Sequence, residues 1–263
     1  MMKDFGWYKK LFVLLSNPRL LKNDKEYIFV LGHMRSRSSV LSHVLGSHDD
    51  IIGYTELHRS YANTDSLLKM RVDLYEEFGQ QFGSRYLLDK VLHNGLDPSE
   101  AVIRRANPKL IFLLREPVGY VNSLIKLGKK VGKAHYANLD FTIEHYVLRV
   151  NFLAQLPEKY GLPFFYIDSD ELVSNTDEIL EELSRFLDLS THLSPTYKKF
   201  EKTGKRRFGD SSENINSGAI VDTSKHRDES DKIEIPEDKI APAMDAYHAC
   251  REILINQSVN QTG

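Results

Sequence analysis

The chain has 263 residues, with 35 Lys and Arg against 37 Asp and Glu, so nothing in its overall charge draws it to nucleic acid or to an anionic membrane. Its single cysteine, Cys250, excludes an internal disulfide and a cysteine-based metal cage, and suits a reducing compartment. The length is enough for one α/β domain with a full core, and no internal repeat or low-complexity tract divides it.

The first 26 residues read as an N-terminal helical extension. Leu11-Phe12-Val13-Leu14-Leu15 is too short to span a bilayer and follows Trp7-Tyr8-Lys9-Lys10, so a helix packed on the domain is expected, with an interfacial anchor as the alternative. No small-residue cleavage site follows it, which argues against a secretory signal, and a cytoplasmic location is expected.

Tyr27-Ile28-Phe29-Val30-Leu31 is a short β-rich apolar run and reads as a buried strand. Gly32-His33-Met34-Arg35-Ser36-Arg37-Ser38-Ser39 follows, and then Val40, Leu41, Val44 and Leu45 recur at helical spacing. Backbone N–H groups at the start of that helix, with the hydroxyls of Ser36, Ser38 and Ser39 and the guanidiniums of Arg35 and Arg37, make an anion cradle, with ordinary helix capping by Ser as the alternative reading of the loop alone. A nucleotide kinase would carry Gly-x-x-x-x-Gly-Lys-Ser/Thr here. Counted from Gly32, Arg37 stands in place of the second Gly, Ser38 in place of the Lys and Ser39 in place of the Ser/Thr. The phosphate-reaching lysine is therefore missing from the loop.

Asp50 to Tyr54 reads as a second strand leading to Thr55-Glu56-Leu57-His58, and Tyr86 to Asn94 as a third carrying Asp89, Lys90 and His93. Lys109 to Leu114 is another buried strand, ending at Arg115-Glu116-Pro117, where Pro117 suits the first turn of a helix. Ser123 lies eight residues beyond Arg115, about two helical turns on, so a strand-tip Arg and a helix Ser can converge on one anion. Phe164 to Ile167 is a further strand, and Ser174-Asn175-Thr176-Asp177 opens an amphipathic helix from Glu178 to Leu187. The polar stretch Lys198 to Ser230 reads as a surface loop carrying Lys205-Arg206-Arg207, and residues 224–263 as a polar segment and a helix packed on the domain. Strands alternating with helices predict a single α/β domain with a mostly parallel sheet and helices on both faces.

The 32–39 loop, together with Arg115, Pro117 and Ser123, resembles the sulfotransferases that use PAPS (3′-phosphoadenosine 5′-phosphosulfate), of the bacterial and tyrosylprotein types. The resemblance implies a P-loop-like fold over residues 27–223, with the loop on the 5′-phosphosulfate and Arg115 and Ser123 on the 3′-phosphate. It implies Glu56 as catalytic base, since the Arg35–Glu56 separation fits the tyrosylprotein pattern, and Lys90 beside the transferring group with Asp89 orienting it. His93 is the second candidate base, near the place where the cytosolic branch has its His, and His58 the third, because imidazole titrates near neutrality. Lys205, Arg206 and Arg207 fall where the family sets a basic loop over the 3′-phosphate, and no metal is implied. Arg37 departs from the Gly that many members have, which eases close backbone approach to phosphate. The acceptor is open among small-molecule, carbohydrate, lipid-like and protein hydroxyls. Tyr61, Tyr75, Phe78, Phe82, Tyr136 and Phe141 are candidates to line its pocket. A P-loop small-molecule or nucleotide kinase, and a PAP- or nucleotide-binding protein of this fold without turnover, are the competing functions.

Overall fold

The computed structural model describes residues 5–22, 24–79, 83–205, 213–221 and 233–260. Five strands, β1 (Glu26–Gly32), β2 (Ile51–Ile52), β3 (Tyr86–Val91), β4 (Lys109–Leu114) and β5 (Phe164–Asp168), form one sheet in the order β2-β3-β1-β4-β5. Every pairing is parallel. Parallel strands covered on both faces need apolar residues throughout, and Tyr27 to Leu31 are all fully buried. Alternate residues of a strand serve opposite faces. Phe29, Leu31, Phe112 and Leu114 pack with Tyr120, Tyr146 and Val150 on one side, while Ile28, Val30, Ile111 and Leu113 pack with Leu41, Leu45, Leu180 and Leu183 on the other. The α/β architecture with helices on both faces is thus the one that the alternating pattern predicts.

The helices are α1 (Phe5–Ser16), α2 (Ser38–Gly46), α3 (Asp65–Phe78), α4 (Glu100–Ala106), α5 (Pro117–Val131), α6 (Leu139–Leu153), α7 (Leu156–Tyr160), α8 (Glu171–Ser174), α9 (Thr176–Leu187) and α10 (Glu237–Gln257). The chain leaves β1 for β2 and β3 on one side and crosses to β4 and β5 on the other. Such a reversal opens a crevice beyond the C-terminal ends of the central strands. In register, Leu31 lies beside Val91 and Gly32 beside Leu113, so the ends of β3, β1 and β4 meet at that crevice.

Several elements are shorter or longer than the sequence suggests. β2 stops at Ile52 because Gly53 takes φ 117, and a Cβ there would run into the Leu88 carbonyl oxygen. β3 stops at Val91, before Asn94, and the Val91 carbonyl accepts a bond from the Arg149 guanidinium. α9 begins at Thr176, two residues ahead of the expected Glu178. The N-terminal helix reaches α3 through Lys10 Nζ, 2.7 Å from Asp73 Oδ1, while Phe12 and Leu15 stay exposed. No described helix is long and apolar enough to cross a membrane.

Candidate active site

The loop from Gly32 to Ser39 links β1 to α2 and holds two arginines in the left-handed region, Arg35 at φ 60 and Arg37 at φ 63, which non-glycine residues seldom adopt. At position 37 the backbone therefore keeps the shape that a Gly would give. The Arg37 side chain is anchored at the β5–α8 corner, donating to the Ser169 carbonyl at 2.8 Å and pairing with Asp170 Oδ1 at 2.5 Å. Its charge is matched there, which explains how this loop accommodates an arginine at a left-handed position.

Arg35 turns the other way. Its Nε donates to Ser123 Oγ at 2.9 Å, and Arg115 NH1 donates to the Arg35 carbonyl at 2.9 Å. The two anion-type strand ends, separate in sequence, thus meet in one place. Glu116 caps α5 by accepting from the Val118 and Gly119 N–H groups. A Cβ at Gly119 would stand 2.9 Å from Arg115 Nε, so glycine is what lets the guanidinium lie across the first turn of α5. His33, fully buried, ties the same parts together. Its Nε2 accepts from the Arg115 N–H at 3.0 Å, which leaves Nδ1 as the protonated atom that donates to the Met34 carbonyl at 2.8 Å. Burial pushes its pKa down to about 3, and the ring stays neutral.

The lysine absent from the loop arrives from the neighbouring strand. Lys90 on β3 is 1% exposed, and its Nζ donates to Ser39 Oγ at 2.9 Å, at the head of α2. Its neighbour Asp89 accepts from the Lys90 and Leu57 N–H groups at 2.8 and 3.0 Å and from the Tyr61 hydroxyl at 2.7 Å. Asp89 therefore orients the 57–61 segment as well as the backbone of Lys90. Burial, helped by the charge of Glu56, raises its pKa to about 7 against these hydrogen bonds.

The three candidate bases, apart in sequence, share one cluster. Glu56 is 8% exposed, and its Oε1 lies 3.2 Å from His58 Nδ1 and 3.5 Å from His93 Nε2. Burial works to raise the Glu56 pKa, but the adjoining His58, with the charges of His93 and Lys90, outweighs it and holds the carboxyl below its ordinary value. The His93 pKa is lowered by burial, with the Glu56 charge opposing. Beyond His93 a chain of rings runs along α6: His145 with its centroid 6.4 Å away, then Phe141 at 5.9 Å from His145, then His135 and Tyr136.

Other expected residues lie elsewhere. Tyr61 is core, Tyr75 bonds Asn17 just after α1, and Phe78 packs on Tyr54. Lys205 is 55% exposed and 3.6 Å from Glu201, on a segment whose Thr203 bonds His43 of α2. Arg206, Arg207 and Phe82 lie outside the described residues.

The sequence reading missed Arg149. It is buried on α6 and uses all five of its N–H donors on the Gly32 and Val91 carbonyls, Asn94 Oδ1 and both oxygens of Asp97, at 2.7–3.0 Å. The available signal was an arginine at a buried position of a helix whose Ile143, Tyr146, Val150 and Leu153 face the core.

No family model matches this sequence, and no curated protein matches it. Among solved structures it is similar to the sulfotransferase domain from the curacin biosynthetic pathway, with a TM-score of 0.52 and 20% identity, covering 88% of this chain and 97% of that one. It is also similar to the sulfotransferase domain from the Synechococcus PCC 7002 olefin synthase, with a TM-score of 0.53 and 18% identity, covering 85% and 95%. At these identities the likeness is one of fold: the chain has the P-loop-like architecture of sulfotransferase domains.

Proposed function

We propose that the protein is a PAPS-dependent sulfotransferase that moves a sulfuryl group to a hydroxyl, or an amine, of an acceptor by in-line transfer. The observation that carries this reading is the meeting of two anion-type strand ends, where Arg35 bonds Ser123 and Arg115 bonds the Arg35 carbonyl. A nucleotide phosphorylated at both the 3′ and 5′ positions needs two such ends, whereas a nucleoside triphosphate needs only the first. Ser36 adds a fully buried hydroxyl whose Oγ makes no hydrogen bond among the described residues, so a donor stands ready within the cradle.

Sulfuryl transfer, like phosphoryl transfer, depends mainly on positioning and charge stabilisation. Arg115 and Ser123 hold the 3′-phosphate, for which Lys205, Arg206 and Arg207 are further sequence candidates. Glu56, kept ionised at neutral pH, takes the proton of the acceptor hydroxyl as its oxygen bonds to sulfur. As the bond from sulfur to the 5′-phosphate oxygen breaks, Arg35, Ser38, Ser39, Lys90 and the N-terminus of α2 meet the negative charge left on that oxygen. The acceptor enters from the α6 side, along the rings of Tyr136, Phe141 and His145 that lead to His93. The reaction requires no metal.

Thermal denaturation with PAP, the bisphosphate product, against ATP and Mg²⁺ tests the reading. A ligand that binds only the native state adds about 2.7 kcal/mol at 100 times its Kd. PAP is expected to raise the melting temperature and ATP with Mg²⁺ to leave it in place. The opposite result would favour a kinase on the same scaffold.

A further inference from the structure

Glu56, His58 and His93 each turn one ligand atom into a common space, and these atoms all lie within 4.8 Å of one another. Two bonds of about 2.0–2.1 Å meeting at a tetrahedral zinc place their donor atoms about 3.3 Å apart. The observed separations from Glu56 Oε1, 3.2 Å to His58 Nδ1 and 3.5 Å to His93 Nε2, match that edge. Oε1 is buried and makes no hydrogen bond of acceptable geometry among the described residues, although two imidazole nitrogens stand beside it. A carboxylate lone pair is therefore aimed into the space between the rings.

We infer that this trio is a zinc site at the mouth of the crevice. Two imidazoles and one carboxylate, with a fourth position left open, is a donor set that suits Zn²⁺, while Mg²⁺ and Ca²⁺ ask for oxygen ligands. The charge of Lys90 also acts on Glu56 and opposes a cation held by charge alone. Selection then falls to a metal that bonds well to imidazole nitrogen. Zinc at Glu56 ties up the lone pair that would receive the acceptor proton. Zn²⁺ is thus an inhibitor that engages the base directly, a consequence that rests on the proposed sulfuryl transfer, whereas the metal site itself does not.

The test titrates the full chain with Co²⁺, whose ligand-field absorption reports low coordination, and then displaces it with Zn²⁺. One saturable Co²⁺ per chain is expected. Its affinity should fall by more than about 100-fold in His58→Ala and in His93→Ala, beyond the 10–100-fold range of a residue that only supports a ligand. Circular dichroism melts establish that each variant is folded. No saturable absorption in the wild-type chain, or unchanged affinity in either folded variant, would overturn the site. In a parallel transfer assay with PAPS, Zn²⁺ at full occupancy should stop turnover and a chelator should restore it. Full occupancy with unchanged transfer would overturn the inhibition and the role of Glu56 as base, and leave the metal site standing. If Zn²⁺ fails to bind while Glu56→Gln is still inactive, the zinc inference falls and the sulfuryl-transfer reading survives.

Discussion

The two sides of the crevice are built differently. The donor side is a strand–turn–helix junction repeated at β1–α2 and β4–α5, and it is cross-braced by bonds from His33 to Arg115, Arg35 to Ser123 and Lys90 to Ser39. The base side consists of two loops, one after the two-residue β2 and one after β3, with His58 half exposed and in the left-handed region. Backbone N–H groups at a helix start cannot move without unwinding the helix, so the donor side is fixed by secondary structure. Glu56 precedes a segment tied to Asp89 through the Leu57 N–H and the Tyr61 hydroxyl, and its own Oε1 lies against the His58 and His93 rings, contacts that a modest rearrangement can break. Binding and chemistry should accordingly separate by side.

The sharpest separation comes from Glu56→Gln, which keeps volume and removes basicity. It should lower single-turnover transfer by roughly two to four orders of magnitude while leaving PAP affinity nearly unchanged. His93→Ala is the companion measurement. If it slows transfer more than Glu56→Gln, the base moves to the imidazole and the comparison is redrawn within the base side. The converse pair lies across the crevice. Arg115→Ala and Ser123→Ala should each weaken PAP binding by about 1.5–3 kcal/mol, the value of a charge-assisted bond, with little effect on a nucleotide that lacks the 3′-phosphate. Calorimetry that gives equal losses for both nucleotides would remove the two residues from the 3′-phosphate site.

The smallest effect, taken per pH unit, concerns the donor-side brace itself. The folded His33 pKa of about 3 lies below the ordinary imidazole value of 6.5, so the unfolded chain binds the proton more readily. Stability from this group is complete above pH 6.5 and falls as the pH drops toward 3, by about 1.4 kcal/mol per unit. Urea melts over that window should show the slope, and His33→Asn, which cannot titrate, should lose that part of it. An unchanged slope would mean that His33 does not hold the brace in its neutral form.

What could be read from the sequence follows the same division. The strand–turn–helix units around Arg35 and Arg115 were legible because an apolar run, a polar turn and a helical period are all local patterns. Glu56, His93 and His58 could be named and ranked, but not placed together, since their convergence depends on β2 and β3 pairing in register. The move of Lys90 to Ser39 was invisible for the same reason: it joins residues 51 positions apart through the adjacency of β3 and β1. The sequence assigned His33 no role beyond its place in the loop, because that role depends on the tautomer that Arg115 imposes. The pattern of the Arg37 substitution was visible, but its partners on the β5–α8 corner were not.

Arg149 fastens the ends of β1 and β3 to α6 by bonds that span up to 117 positions of sequence. Its planar fork leaves no donor to spare, so none of these contacts can be exchanged for water one at a time without exposing a buried charge. In hydrogen-exchange terms, the amides around Gly32 and Val91 are then expected in the slowest class. The 57–61 segment is anchored by Asp89, by the Arg59–Asp73 pair and by backbone bonds of Tyr61 with Leu96 and Ser99, while His58 is half exposed, so faster exchange is expected around that residue. The floor of the crevice is then a stationary reference, and faster exchange is expected on the wall that carries His58.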